Sequence, residues 1–294
     1  MKKFEGIFTA LLTPFDAGNH INEKALGQLI EHNIRLGVTG FYACGSTAEV
    51  FMLSLDERRQ LMKLISDIVG GRVTLIAHVG SVSADEAAGL ASYAEELGYD
   101  AVSAVAPFYY KFSAEEIADY YYDIAAATSL KTLVYNIPAF SGVSMSIDQL
   151  SGFMSDGRFL GIKHTSGDFF ALETIKSHFP DKLIYNGYDE MFLSGLIAGA
   201  DGGIGSTYNF MADKFVLIQR LYREGRIGEA RAIQHEVNEI IRVLCRIGVN
   251  AGEKAIMNLL GIDFGLCRRP FRSCTKEGYE LLEREVLPRL TPLG

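Results

Sequence analysis

The sequence lacks the features that mark secreted, membrane-spanning and nucleic-acid-binding proteins. It has only four cysteines, at irregular spacings and without a CxxC pair, which favours free thiols in a reducing compartment over a disulfide framework. No apolar run reaches the roughly 18 residues that a membrane span requires. The net charge of -8 argues against a nucleic-acid backbone as a partner. We therefore expect a soluble, cytoplasmic protein with neither a nucleic-acid nor a membrane partner.

The first residues, MKKFEGIFTALLTPF, look like a secretion signal because two lysines precede an apolar run. Glu5 interrupts that run early, and no small-residue cleavage pattern follows it. We interpret this segment as part of the folded chain.

Short β-rich runs alternate with helical patterns up to about residue 225. The candidate strands are GIFTALL near residue 6, VTGFYACG near 38, VTLIAHVG near 73, DAVSAVAP near 100, TLVYNIP near 132, FLGIKH near 159, KLIYNG near 182 and DGGIGS near 201. Four intervening segments begin with the capping boxes SLDE, SADE, SAEE and SIDQ. Strands alternating with helices are typical of βα units. The pattern predicts an α/β fold, a (β/α)8 TIM barrel over residues 1–225, with an open doubly wound sheet as the alternative.

Beyond residue 225 the alternation stops. The segments RIGEARAIQHEVNEIIRVLC and GYELLEREVLPRL have the periodicity of amphipathic helices. We expect a helical C-terminal extension over residues 226–294, packed on the barrel as part of a single structural unit.

Polar residues follow most of the predicted strands. The second strand is followed by GSTAE, the fourth by PFYY and the sixth by HTSGD, while NGYDE and GSTYN follow the last two. Because active sites of such barrels lie at the carboxyl ends of the strands, we expect these residues to meet at one rim. They are Ser46, Thr47, Tyr109, Tyr135, Lys163, Thr165, Asp189, Glu190 and Ser206.

Lys163 lies at the end of a strand that is otherwise apolar, where lysine is rare unless it is paired or used. A neutral lysine amine can attack a ketone and form a Schiff base. The alternative is a structural ion pair with a carboxylate. Tyr135 ends the neighbouring strand, where a phenol could relay protons, although a half-buried core tyrosine is the plainer interpretation.

The remaining rim residues favour binding of a hydroxylated acid. The GSTAE turn offers hydroxyls and backbone N–H groups suited to a carboxylate. Asp189 and Glu190 suit hydroxyl-rich ligands, unless they only begin a solvated helix. His78 and His164 lie near strand ends, but no HxH or HExxH spacing occurs. We expect no metal and no organic cofactor, and we expect His164 to face the helices.

From GIFTALLTPF through RRPF the chain resembles the family of Schiff-base lyases and synthases that includes dihydrodipicolinate synthase and N-acetylneuraminate lyase. The stretches SAVAPFYYKF, VYNIPAFSGV, KHTSGD, YNGYDE and GADGGIGSTYN resemble the lyase branch in particular. The resemblance implies a TIM barrel with a helical C-terminal extension, assembled as a homotetramer. The small-molecule partners that it implies are a sugar-acid substrate and pyruvate.

The resemblance also implies roles for single residues. Lys163 would be the Schiff-base lysine and Tyr135 the proton relay. The implied ligands of the pyruvate carboxylate are Ser46 and Thr47, and those of the sugar chain are Thr165, Gly187, Asp189, Glu190 and Ser206. Tyr109 resembles the tyrosine that members lend across a subunit interface.

Three positions differ from what the resemblance leads one to expect. Ala139 and Phe140 stand where the synthases have a Gly-Arg pair that holds a second carboxylate, which disfavours a synthase. Ala48 replaces the usual glycine of the GSTAE turn, which is costly only if that position has a positive φ. The expected reaction is reversible cleavage of N-acetylneuraminate to N-acetylmannosamine and pyruvate. The alternatives are an aldolase for another 2-keto-3-deoxy sugar acid, or a catalytically impaired sugar-acid-binding paralogue.

Overall fold

Eight parallel strands close into a barrel in the computed structural model, which describes residues 2–292. Each strand pairs with the next in sequence, and the last pairs with the first. The strands are β1 (Gly6–Ala10), β2 (Gly40–Ala43), β3 (Thr74–His78), β4 (Ala101–Val105), β5 (Lys131–Asn136), β6 (Phe159–His164), β7 (Leu183–Asn186) and β8 (Gly202–Gly205). The predicted barrel is confirmed, and the alternative of an open sheet is wrong.

The described part of the chain also contains twelve α-helices. They are α1 (Glu23–Arg35), α2 (Leu55–Val69), α3 (Ala84–Glu96), α4 (Ala114–Ala126), α5 (Pro138–Ser141), α6 (Ile147–Ser155), α7 (Phe169–His178), α8 (Phe192–Ile197), α9 (Tyr208–Arg223), α10 (Ile227–Ile247), α11 (Val249–Leu259) and α12 (Lys276–Glu285). Between residues 2 and 292 no helix is both long enough and apolar enough to cross a membrane. Residues 293 and 294 of the predicted extension lie outside the described residues.

Three of the four predicted capping boxes form completely, at Ser54, Ser113 and Ser146. At the fourth, Ser83, only one of the two predicted hydrogen bonds forms. Ser83 accepts from the backbone N–H of Glu86, but the Glu86 carboxylate accepts from the Ser81 hydroxyl at 2.6 Å instead of returning to the Ser83 backbone. A nearer donor therefore replaces the second bond of the box.

The apolar residues form two separate cores because strands of a parallel barrel are covered on both faces. One core lies between the strands and the helices and contains residues such as Val134, Ile162 and Ile184. The other fills the inside of the barrel. Its members include Phe8, Tyr42, Ile76, Leu133, Tyr135, Leu160, Leu183, Tyr185 and Ile204.

A β-bulge in β6 decides which residues of that strand face the inside. Thr132 of β5 pairs with Phe159, but the next residue pairs with Gly161, so Leu160 is an extra residue in the ladder. Side chains alternate between the two faces along a regular strand, and one extra residue reverses the alternation. Leu160 packs inside the barrel, Ile162 packs against the helices, and Lys163 lines the cavity at the barrel mouth.

The bulge depends on glycine at position 161. A Cβ atom there would lie 1.9 Å from the carbonyl oxygen of Leu183 in β7. Because that neighbour is backbone hydrogen-bonded within the sheet, it cannot move aside without separating β6 from β7.

We predict that Gly161→Ala lowers the free energy of unfolding by about 3 kcal/mol, the upper part of the range for overpacked sites. Urea denaturation checks this result. Gly157→Ala is the matched control, because Gly157 is exposed in the turn before β6 and a Cβ there meets no atom within 4 Å. Equal stability of the two variants would contradict the role assigned to the bulge.

Candidate active site

A cavity of about 560 Å³ opens at the carboxyl ends of the strands. Its walls come from the turns after β2, β5, β6, β7 and β8, and from α10 and α11. The predicted site residues that line it are Ser46, Thr47, Tyr135, Lys163, Thr165, Gly187, Asp189, Glu190 and Ser206. Only Tyr109 among the predicted residues is not in these walls.

Lys163 lies against two aromatic rings and is 5% exposed. Its Nζ is 4.1 Å from the ring centroid of Tyr135 and 4.7 Å from that of Tyr42. No carboxylate in residues 2–292 forms a salt bridge with it, so the alternative of a structural ion pair does not describe this lysine. A structural ion pair of that kind is formed by Lys254, whose Nζ is 2.5 Å from Glu49 Oε1.

The two tyrosines beside Lys163 differ in the use of their hydroxyl groups. Tyr135 pairs directly with Lys163 across the β5–β6 ladder and lines the cavity. Tyr42 is fully buried, and its hydroxyl donates to Ser103 Oγ at 3.0 Å. Tyr135 is therefore the phenol available to a bound molecule.

The GSTAE turn forms a short 3-10 helix over Ser46–Ala48 that places Ser46 and Thr47 in the cavity wall. Positive φ values occur at Cys44 (57°), just before the turn, and at Glu49 (59°), its last residue, whereas Ala48 does not have one. The Ala48 carbonyl accepts from the Thr13 hydroxyl at 2.9 Å. Alanine in place of glycine thus adds a buried methyl group without backbone strain.

A buried ion pair holds the far end of this turn. Glu49 Oε1 lies 2.5 Å from Lys254 Nζ of α11, and Glu49 Oε2 accepts from the backbone N–H of Arg268 at 2.7 Å. The Arg268 guanidinium in turn pairs with Glu57 of α2 and lowers the pKa of that carboxyl to about 2. The segment after residue 225 is therefore joined by charge to the turn after β2.

Two buried carboxyl groups lie on the β7–β8 side of the cavity. Asp189 Oδ2 accepts from the backbone N–H and the hydroxyl of Thr207, at 2.9 and 2.7 Å. Burial raises the pKa of Asp189 to about 6. Glu253 of α11 is 1% exposed, and its Oε1 accepts from Ser206 Oγ at 2.5 Å. Burial, assisted by Asp189, raises the pKa of Glu253 to about 8.

Asp189 and Glu190 differ in their exposure to solvent. Asp189 is buried, so a solvated helix start is the wrong interpretation of that residue, whereas Glu190 is exposed at the cavity edge. Sequence reasoning missed Glu253, because nothing in its local pattern distinguishes it from a surface glutamate of an amphipathic helix. Only the packing of α11 against the rim brings it into the wall.

The two histidines near the strand ends hold backbone groups. His78 is fully buried, with Nε2 accepting from the Val105 N–H at 3.2 Å and Nδ1 3.0 Å from the Cys44 carbonyl oxygen. Burial lowers its pKa to about 3. His164 faces the helices as predicted, with Nε2 3.1 Å from the Asp168 carbonyl oxygen. Within residues 2–292 no group of three metal-ligating side chains is close enough to hold an ion.

Tyr109 points away from the cavity of its own chain, which corrects the expectation that it meets the other rim residues. Its φ is 81° and its side chain is 87% exposed. Its ring packs edge-on against Tyr110, with centroids 5.1 Å apart. The loop after β4 thus presents two aromatic rings to the surroundings.

Comparisons with known proteins agree with this architecture. Residues 3–287 match the model of the Dihydrodipicolinate synthetase family. An N-acetylneuraminate lyase of Rhizobium meliloti is 43% identical over 98% of this chain and 96% of its own length.

Two solved structures share the same fold. A Clostridium difficile protein in complex with mannosamine superposes with a TM-score of 0.93 at 41% identity, covering 95% of this chain and 97% of that one. An N-acetylneuraminate lyase of Fusobacterium nucleatum complexed with pyruvate has a TM-score of 0.91 at 38% identity, covering 97% and 98%. On this evidence the chain belongs to the dihydrodipicolinate synthetase family.

Proposed function

We propose that this chain is a carbon–carbon lyase, a class I aldolase that reversibly cleaves N-acetylneuraminate to N-acetylmannosamine and pyruvate. The observation that carries the proposal is Lys163, which is buried against aromatic rings in the cavity wall and has no paired carboxylate in residues 2–292. The named relatives support the choice of substrate, since they include N-acetylneuraminate lyases, one of them complexed with pyruvate.

The first step is attack of the Lys163 amine on the C2 ketone of the open-chain sugar acid. Loss of water from the carbinolamine gives an iminium ion, which accepts the electrons of the bond to be broken. Attack requires the neutral amine, and no salt bridge to a described carboxylate competes for Nζ. The adjacent Tyr135 is placed to carry protons to and from the carbinolamine oxygen.

The second step is cleavage between C3 and C4. Tyr135 removes the proton of the C4 hydroxyl, the C3–C4 electron pair moves toward the iminium nitrogen, and N-acetylmannosamine leaves as the aldehyde. The enamine that remains takes up a proton at C3, and water then hydrolyses the iminium to release pyruvate and free Lys163. No metal or organic cofactor enters these steps.

The wall residues support the orientation of the substrate. Ser46 and Thr47 would hold the carboxylate of the pyruvate part, and the sugar chain would lie along Thr165, Gly187, Asp189, Glu190 and Ser206. Lys163 is the only basic side chain among the described residues of the cavity wall. Ala139 and Phe140 line the wall where a synthase would need a cation for a second carboxylate. A neutral polyol therefore fits better than a dicarboxylate.

We further propose a homotetramer in the cytoplasm. Tyr109 and Tyr110 are 87% and 65% exposed, and large exposed aromatics mark contact surfaces. In a tetramer the Tyr109 ring would complete the cavity of a neighbouring subunit. All four cysteines are free, which supports a reducing compartment.

We predict that sodium borohydride with pyruvate leaves a reduced pyruvyl adduct on Lys163, measured by intact mass and peptide mapping. Lys254 is the internal control, since it is equally buried but paired with Glu49 and should carry no adduct. Lys163→Ala should abolish both the adduct and turnover. An unlabelled but folded wild-type protein would favour an impaired sugar-acid-binding paralogue.

We predict that Tyr135→Phe lowers kcat by about 10²- to 10⁴-fold, the range for loss of a general acid–base group. The ring remains, so borohydride trapping of pyruvate should become slower, because the carbinolamine loses its proton relay, but the adduct should still form, whereas cleavage of N-acetylneuraminate should fall by the full factor. Tyr42→Phe is the matched control, because its ring is also close to Lys163 Nζ but its hydroxyl is bonded to Ser103. Equal losses in the two variants would contradict the assigned relay.

Steady-state kinetics with N-acetylneuraminate and with ketodeoxygluconate separate the proposed substrate from the alternative sugar acid.

We predict that Tyr109→Ser lowers kcat/KM about tenfold, which corresponds to about 1.4 kcal/mol of transition-state stabilisation. The cause would be loss of a ring from the neighbouring subunit's cavity. Phe170→Ser is the control, since Phe170 is 81% exposed on α7. Light scattering should show a tetramer for the wild type. A fully active monomer would contradict both the assembly and the role of Tyr109.

A further inference from the structure

Glu253 is a buried carboxyl group that the reaction steps do not use. It lies on α11, is 1% exposed, and lines the cavity together with Ser206 and Asp189. Its protein hydrogen-bond partner is the Ser206 hydroxyl, 2.5 Å from Oε1. No lysine, arginine or histidine in residues 2–292 forms a salt bridge with it.

The residue next to Glu253, Lys254, takes part in a buried ion pair in which a carboxylate has a structural role. On the next position of α11, Lys254 pairs with Glu49 at 2.5 Å, so charge is matched by charge. At Glu253 the matching cation is absent from the described residues, although burying an uncompensated carboxyl is costly. A glutamine or leucine would fill this position in the helix without that cost.

The side chains on this part of the wall offer acceptors. The Ser206 hydroxyl donates its single proton to Glu253, so its oxygen lone pairs are free to accept from other partners. Asp189 is buried in the same wall, and its Oδ1 has no hydrogen-bond partner. Glu190 adds a third carboxyl at the cavity edge. Such a wall favours ligand groups that donate, and it favours a cation most.

We infer that Glu253 is a specificity-determining residue that, with Asp189 and Ser206, binds the protonated amine of a second aldehyde substrate, used besides N-acetylmannosamine. The inference rests on the proposed function, because the amine would belong to the aldehyde that condenses with pyruvate. A 2-amino-2-deoxy aldose is the matching ligand class. Its ammonium group offers three donors and a positive charge, whereas an N-acetyl group places a carbonyl acceptor in the same region.

The test compares mannosamine with N-acetylmannosamine as the aldehyde in condensation with pyruvate. In the wild type both should react. Glu253→Gln keeps the shape and a hydrogen bond to Ser206 but cannot ionise opposite a bound ammonium group. It should lower kcat/KM for mannosamine by about tenfold or more, the scale of losing about 1.4 kcal/mol of binding, and change kcat/KM for N-acetylmannosamine much less. Glu283→Gln, an exposed position on α12, is the control and should leave the ratio unchanged.

A second measurement separates recognition from support of the fold. The melting temperature of Glu253→Gln should equal or exceed that of the wild type, because a buried carboxyl that has no paired cation among the described residues is replaced by a neutral amide. A lower melting temperature with equal losses for both aldehydes would overturn the inference in favour of a structural role. An unchanged ratio would also overturn it, while leaving the proposed function intact. Wild-type protein that condenses neither aldehyde with pyruvate would overturn the proposed function and this inference together.

Discussion

The close approach of β6 to β7 at Gly161 is the constraint on which the site depends. A Cβ atom at this position would collide with the Leu183 carbonyl oxygen at 1.9 Å, so the strand accommodates an extra residue, Leu160, only where glycine follows. Without the bulge, regular alternation would direct Lys163 toward the helices and His164 into the barrel. The bulge instead places the lysine amine beside the Tyr135 ring, 4.1 Å from its centroid.

A second dependence runs through α11, which contributes to both sides of the cavity with adjacent residues. Lys254 neutralises Glu49 and so holds the turn that carries Ser46 and Thr47, whereas Glu253 reaches Ser206 after β8. The eight strands alone would therefore supply an amine and a phenol. The positions of the turns around them depend on a helix that follows the last strand by more than forty residues.

The sequence allowed prediction of those features whose cause is local. The strands and Ser-initiated helices have short-range signals, and the carboxyl-end rule then collects Lys163, Tyr135 and six other residues in one wall. Glu253 was missed because its contribution depends on how α11 packs, which no local pattern encodes. The outward direction of Tyr109 and the φ of Ala48 depend in the same way on loop conformation. The second bond of the Ser83 capping box was lost to a competing donor, Ser81, that is close only in the folded loop.

The distribution of charge in the cavity wall explains why the two ends of a substrate would face opposite walls. The only basic side chain among the described wall residues, Lys163, lies among aromatic rings in the same cavity wall as Ser46 and Thr47, where a keto acid would find both the proposed nucleophile and hydroxyl donors. The opposite wall contributes Asp189 and Glu190, which follow β7, and Glu253 of α11, and these carboxyl groups accept hydrogen bonds and disfavour a second anion. A molecule with a carboxylate at one end and hydroxyl or amine donors at the other satisfies both walls at once. A dicarboxylate would satisfy only the first, because the wall at Ala139 and Phe140 has no cation to hold its second charge.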